Sequence, residues 1–470
     1  METLVVGGTV VDDRQAVQVD LGIDDGRIVG IFTPGSAPKA NQVIDASGLI
    51  VVPGAVDAHT HFTGLHDQPA ASLRVGTQGA AAGGVTTILE HPQSDPPATT
   101  LERFVQKREM LHANSVVDFG LWGGIDPTTL DQLPLMHEAG AVASKGFMCS
   151  TDPAGAAPDS YGLPRLEDEP LLRAMRAIAS FGGIIGLHAE NHSMLTWRTS
   201  ELKANGRTDP LAHAEASPPV GEVEAVARAL LLAEESGVRC HIVHLSLPAA
   251  AARVRAVKQR APVSMETCPH YLVLDETDLV RGGAFARCAP PLRRRADVDA
   301  LWEFIFDGSI EFVASDHCPY LLEQKAAASN VIWNAALGLN GIEVMGPLLF
   351  SEGVQARNLP LTDFVRLTST GPARRFGLYP RKGALQPGSD ADLVVYDSSA
   401  SWIIDATELS GLAHWSPYDG RQLRGRVVRT LVRGRTVFEQ GRSAGGTGLA
   451  RFVSPIEARP ERQAAVSALG

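Results

Sequence analysis

Between residues 54 and 384 the chain alternates apolar, strand-like runs with helix-like stretches, and this alternation limits the possible folds more than any other feature. The runs are VVPGAV, GVTTILE, VVDFGLW, AVASKGFM, GIIGLH, CHIVHLS, VSMETC and EFVASD. The clearest helix signal is GEVEAVARALLLAEESG, with Pro218 and Pro219 before it, acids in its first turn and Gly237 to stop it. Strand–helix alternation builds a parallel β/α layer, and eight such steps predict a closed (β/α)8 barrel of the TIM type. The flanks have another texture. TLVVGGTVVD, AVQVDLGI and, beyond an Asp25-Gly26 turn, RIVGIF read as short strands. The same texture returns in ADLVVYD and in TLVRGRTVF, which turns at Arg433-Gly434. Residues 1–53 and 385–440 are therefore expected to form one small β-sandwich domain, 54–384 the barrel, and 441–470 a tail without a motif.

In a barrel of this kind chemistry collects where strands end. Polar residues fall there repeatedly: His59 and His61 after VVPGAV, Lys145 after AVAS, His188 after GIIGL, His244 after HIV and Asp316 after EFVAS. Period-two alternation puts His59 and His61 on one face, so both can point inward. An isolated HxH is usually structural, and a lone strand-end histidine is usually a hydrogen-bonded core residue. Six such residues at strand ends make a metal site the better reading. Imidazole nitrogens and carboxylate oxygens suit zinc, with manganese, iron or cobalt as alternatives. Lys145 cannot bind a cation as an ammonium. Buried near metals its pKa should fall, and the neutral amine could take up carbon dioxide as a carbamate that bridges two ions.

The net charge of -11 and pI near 5.7 argue against a nucleic-acid partner, which would need a basic face. No apolar run reaches membrane-span length, and METLVVGG lacks a basic signal-peptide start. Cys149, Cys240, Cys268, Cys288 and Cys318 are scattered and odd in number, as suits reduced thiols in a cytoplasmic enzyme.

DxHxH at 57–61, the central Lys145, His188, His244 and the Asp316 of SDHCP resemble the amidohydrolase superfamily in its cyclic-amidase branch. That branch includes allantoinases, hydantoinases, dihydropyrimidinases and dihydroorotases. GLHAEN (186–191), SPPVGEVEA (217–225), ETCPHYLVL (266–274), ARCAPPLR (286–293) and SPYDGR (416–421) are similar in texture to allantoinases. The resemblance implies a two-metal site. His59 and His61 would bind one ion, His188 and His244 the other, and carboxylated Lys145 would bridge them. Asp316 would bind the first ion and shuttle the proton. The implied reaction is hydrolytic ring opening of a small cyclic amide or ureide, and the implied assembly is a homotetramer.

Pocket residues are mixed. Thr63 stands where dihydroorotases carry a carboxylate-binding arginine, and Ser150 where hydantoinases carry a tyrosine. Asn340-Gly341 resembles a hydantoinase asparagine, while Cys318-Pro319-Tyr320 departs from the allantoinase Ser-Pro-Cys. Expected substrate contacts are Ser150, Ala289, Asn340, His317 and Cys318. His91 and His66 lie near enough to strand ends to touch substrate, whereas His192, His241 and His270 read as structural. Allantoin to allantoate is the first expectation. A substituted hydantoin or dihydropyrimidine is the alternative, and dihydroorotate is less favoured. Two other classes compete: a non-enzymatic relative of the barrel, and a deaminase with a similar HxH site. The complete ligand set opposes the first, and Lys145 with the SPP and CPHYL segments opposes the second.

Overall fold

The computed structural model describes residues 1–65, 67–150, 162–326 and 331–455. Every apolar run named above contains a strand, and these strands pair in parallel. Ala55–Thr60, Val85–Glu90 and Asp118–Leu121 form one arc. Gly123–Gly124, Ser144–Phe147, Ile184–His188, Arg239–Ile242, Val263–Thr267 and Phe312–Val313 form the other. Asp118–Leu121 and Gly123–Gly124 are one interrupted third strand: Trp122 N donates to Glu90 O, then Gly123 N donates to Ala143 O. The ring closes between strands eight and one. Thr60 bridges His317 in parallel, His61 N donates to His317 O at 2.9 Å, and His317 N donates to His59 O at 3.4 Å.

The barrel interior is filled rather than open. Trp122, Phe312, Phe376, Leu89 and Val243 pack together inside it. Gly186 in GIIGLH is required by this packing, since a Cβ there would lie 2.3 Å from the Trp122 ring. The helix predicted after Pro218 and Pro219 spans Pro219–Ser236, so that Pro219 is its first residue rather than a flanking one, and it stops at Gly237 with φ 69.

Strands from both chain ends form two further sheets. One orders Arg27–Phe32, Asp20–Asp24, Thr3–Val6 and Gln42–Asp45. The other runs from Arg442–Ser443 through Arg435–Glu439, Gln422–Val432, Leu393–Ile403, Ile50–Pro53 and Thr9–Val11 to Ala16–Gln18. Val5, Leu21, Ile28, Val51, Leu393 and Leu431 make their shared core. Both predicted hairpin turns have two central residues at positive φ: Asp25 45 and Gly26 70, Arg433 46 and Gly434 73. Asn, Asp and Gly favour such primed turns, so Arg433 is the costly member. The tail is not idle: Phe119 N donates to Arg451 O, Val453 N to Phe119 O, and Ala450 and Val453 are buried. It occupies the edge that the third strand leaves free.

A buried ion cluster joins these parts. Lys382 Nζ lies 2.6 Å from Asp118, 2.7 Å from Asp392 and 3.0 Å from Asp390, while Arg433 and the Arg451 amide also meet Asp118. Burial works against the Lys382 charge, but Asp118, Asp392 and Asp390 outweigh it and raise its pKa. Lys382→Met would remove the cation shared by three buried carboxylates, leaving Arg433 on Asp118 and Arg381 on Asp390. We predict a loss of about 3–5 kcal/mol, the scale for breaking a buried ion pair from one side, seen as a lower urea midpoint. An unchanged midpoint would remove this cluster's structural role.

Candidate active site

Strand ends deliver the candidate ligands to one place. His59 and His61 flank the end of strand one, Lys145 lies in strand four, and His188 ends strand five. His244 and Asp316 lie just beyond strands six and eight with φ 38 and φ 49. Non-glycine residues rarely adopt this left-handed region, and such outliers concentrate at functional sites. Local bonds hold both. His244 N donates to Glu266 Oε1 at 3.3 Å. Next to Asp316, Ser315 N donates to Asp57 Oδ1 at 2.9 Å, and the Ser315 hydroxyl bonds the other Asp57 oxygen.

His59, His61, Lys145, His188, His244 and Asp316 line a single cavity with Gln93, Phe147, Ala289, Cys318, Leu337 and Gly338. Asp316 Oδ1 lies 3.2 Å from both His59 Nε2 and His61 Nε2. The His59 and His244 rings are 5.3 Å apart, and those of His188 and His244 4.6 Å apart. His59 Nε2, although beside Asp316 Oδ1, makes no hydrogen bond, and neither do the buried His61 Nδ1 and His244 Nδ1, so each of these rings has a lone pair or N–H left over. Among the described residues, three groupings have donor atoms within 4.8 Å of one another: His59, His61 and His91; His61, Asp316 and Cys318; Cys149, His188 and Glu190. This donor set fits metal binding.

Burial dominates the electrostatics. It pushes His59 and His244 well below the usual imidazole pKa, aided by His91 and Lys145 around His59 and by His188 and Lys145 around His244. Both are thus neutral, the form that donates a lone pair. Lys145 is pushed down to about 8 by burial, against the opposing pull of Asp316 and Glu266. Burial raises the Cys318 thiol well above its ordinary value, which argues against a thiolate nucleophile.

The expected substrate contacts separate. Ala289 and Cys318 line the cavity, and Ser150 lines an adjoining one that shares Ala289 and Leu337. His317 closes the barrel; its Nδ1 accepts from Gly341 N at 3.1 Å and its ring packs on Phe62. Asn340 lines neither cavity, and its amide donates to Trp415 O. His66 lies outside the described residues. His192 begins the helix His192–Ala204, and its Nδ1 accepts from Ser150 N. His91 stacks on His59 with centroids 3.7 Å apart. Three residues apart on a regular strand, His241 and His244 would face opposite sides, but the positive φ of His244 breaks that alternation. The His241 ring meets Glu266, and the His244 main-chain N–H donates to the same carboxylate.

Three buried acids were missed. Glu90 ends the second strand; it accepts from Phe62 N, Thr63 N, Thr63 Oγ1 and Thr60 Oγ1, and so holds the turn after His61. Glu266 meets His59 Nδ1 at 2.6 Å and His241 Nε2 at 3.2 Å. Glu190 meets His188 Nε2 at 2.8 Å. Burial works against the Glu190 charge, yet bonds from His188 and Ser217 hold its carboxyl below the usual range. Glu90 could have been found by the strand-end rule. The other two stood unassigned inside ETCPHY and GLHAEN.

Among the described residues, no helix is long and apolar enough to cross a membrane. A model of the amidohydrolase family matches residues 50–437. An allantoinase from Rubrobacter xylanophilus is 39% identical over 98% of this chain and 99% of its own. An L-hydantoinase from Paenarthrobacter aurescens is 33% identical over 96% and 98%. The solved structure of the L-hydantoinase (dihydropyrimidinase) from Arthrobacter aurescens superposes with TM-score 0.92 at 33% identity, over 96% of this chain and 99% of that one.

Proposed function

Because the chain belongs to the amidohydrolase family, and is a cyclic amidohydrolase within it, we propose that it opens a neutral five-membered ureido ring, with allantoin to allantoate as the first reading. The carrying observation is one cavity lined by His59, His61, Lys145, His188, His244 and Asp316, with no arginine among the described residues that line it. Thr63 is turned away, its hydroxyl bonded to Glu90 and to Gln93 O. In this reading His59, His61 and Asp316 would hold one divalent ion, zinc as first choice, and His188 and His244 would hold a second, with carboxylated Lys145 as a ligand to both. Ions held there would supply a more acidic water and a polarised ring carbonyl.

The chain's own residues do the rest. Asp316 accepts the proton of the attacking water on its carboxylate and delivers it to the departing ring nitrogen, so that water adds across the C–N bond. Protonation is required because an amide anion is a poor leaving group. Glu90 keeps the His61–Thr63 turn in place, and Glu266 orients His59 through Nδ1, leaving Nε2 to face the cavity. Hydantoinase-like activity is the second reading, supported by the likeness to the L-hydantoinase structure. The resemblance that implied a homotetramer supports the same assembly here.

Catalytic efficiency measured for allantoin, substituted hydantoins, dihydrouracil and dihydroorotate on one metal-loaded preparation should rank allantoin first and dihydroorotate last. Dihydroorotate would bury its carboxylate without a partner near Thr63. A hydantoin in first place would favour the second reading, and dihydroorotate in first place would overturn the neutral-ring proposal.

A further inference from the structure

The motifs GLHAEN, SPPVGEVEA and ARCAPPLR contribute only His188 and Ala289 to the cavity, yet Glu190, Ser217, Glu222 and Arg293 within them are buried and linked to one another. Ser217 Oγ donates to the Glu190 carboxylate, which meets His188 Nε2 at 2.8 Å through its other oxygen. Ser217 O accepts from Arg293 Nη1 at 2.7 Å. Arg293 Nη2 then lies 2.9 Å from Glu222 Oε2, and Arg293 Nε donates to Ser246 Oγ at 2.9 Å. Ser246 N donates to Glu222 Oε1 at 2.9 Å, two residues beyond His244. Glu190, Ser217, Glu222, Ser246 and Arg293 are each no more than 4% exposed. The chain of bonds therefore starts on the His188 ring and ends on the backbone that follows His244.

We propose that Glu190, Ser217, Arg293, Glu222 and Ser246 form a brace that positions His188 and His244 as a pair, and so sets the affinity of one metal position separately from the other. The inference rests on His188 and His244 sharing an ion. The physical basis is tautomer and orientation. A carboxylate on Nε2 makes that nitrogen the donor, so Nδ1 keeps the lone pair for a metal. Arg293 is suited to the centre because its planar fork serves Ser217 O, Ser246 Oγ and Glu222 at once, which a lysine cannot do. The His59 and His61 half has other supports, Glu266 on the His59 ring and Glu90 on the turn after His61. Glu266 also receives His244 N, so the separation concerns the His188 end most directly.

The test is competition for Co2+ between the cobalt-loaded full-length protein and a chelator, following bound cobalt per chain and its visible spectrum. Glu190→Gln and Arg293→Met are expected to release one of two equivalents with affinity weakened by roughly 10–100-fold, the scale for removing a ligand's supporting partner. The second equivalent should hold as in the parent, and the spectrum should change in the released component only. Arg293→Lys should fall between, and Ser217→Ala is the milder variant should either replacement fail to fold. His188→Ala run in parallel should release the same equivalent. If His188→Ala releases it while Glu190→Gln and Ser217→Ala keep parental affinity, the brace is wrong and the ligand assignment stands. Equal weakening of both equivalents in the brace variants also overturns the proposal. Retention of both by His188→Ala overturns the ligand assignment and the brace with it.

Discussion

Lys145→Ala is expected to lose most bound metal and to lower turnover by about a thousandfold or more, the scale for removing one part of an interdependent catalytic unit. Lys145 is 1% exposed and shares its cavity with four candidate histidine ligands and Asp316. An ammonium there would repel two cations. Burial brings its pKa down to about 8, so the neutral amine is accessible in mildly alkaline solution and can add carbon dioxide. The resulting carbamate is an anion with two oxygens, suited to lie between two metals. Alanine removes it and leaves a space that a small carboxylate can enter. Acetate or propionate should therefore restore part of both metal content and activity to the variant. Metal analysis and steady-state rates with and without the added acid check this, and 13C-labelled bicarbonate should give a carbamate carbon signal in the parent. Parental metal content and turnover in Lys145→Ala would end the bridging assignment.

Asp316→Asn is expected to lower turnover at least ~100-fold while metal content stays near parental, since asparagine keeps an oxygen but carries no proton. The backbone makes this substitution unusually clean. Asp316 has φ 49, and asparagine tolerates the left-handed region as readily as aspartate, so the change does not disturb the main chain. Alanine at this position would add backbone strain to the chemical loss and blur the result. His317 is the neighbouring candidate for carrying the proton. Its Nδ1 already accepts from Gly341 N, and burial, with His61 beside it, pushes its pKa down to about 3. It is a poor acceptor near neutral pH. Turnover of Asp316→Asn within a few-fold of the parent would nevertheless transfer the role to His317 or another group.

The strands were legible because both faces of a parallel barrel are covered, which leaves continuous apolar runs that end in polar residues. GIIGLH and EFVASD are examples, and both carry a candidate ligand at or just past their ends. What stayed hidden depends on neighbours that only the folded sheet supplies. Glu190 and Glu266 look like ordinary acids in the sequence, and only strand register sets them against His188 and His59. His and Asp enter the left-handed region more readily than most side chains, but that preference is too weak to single out His244 and Asp316 in the sequence, and counting alternate residues from His241 misleads for that reason. Asn340 matches a family residue by identity, but its orientation is decided by Trp415, far along the chain. The tail lacked any motif because its pairing with Phe119 uses main-chain groups, which every sequence possesses.

The sandwich sheet that sets Ile50–Pro53 against Leu393–Ile403 has a consequence for the order in which the protein can be made. When the first strands leave the ribosome, their partner is still some 340 residues from synthesis, which at ordinary translation speeds is a wait of roughly 20–70 s. During that interval the inward faces of Val5, Val10 and Val51 have nothing from the later chain to cover them. The barrel can gather its strands in order meanwhile, but the terminal layer is the last to assemble and involves the longest loop closures in the molecule. Newborn chains thus pass through a stage with an apolar leading end, on which chaperones and aggregation compete, and synthesis that halts before residue 393 leaves that end permanently unpaired.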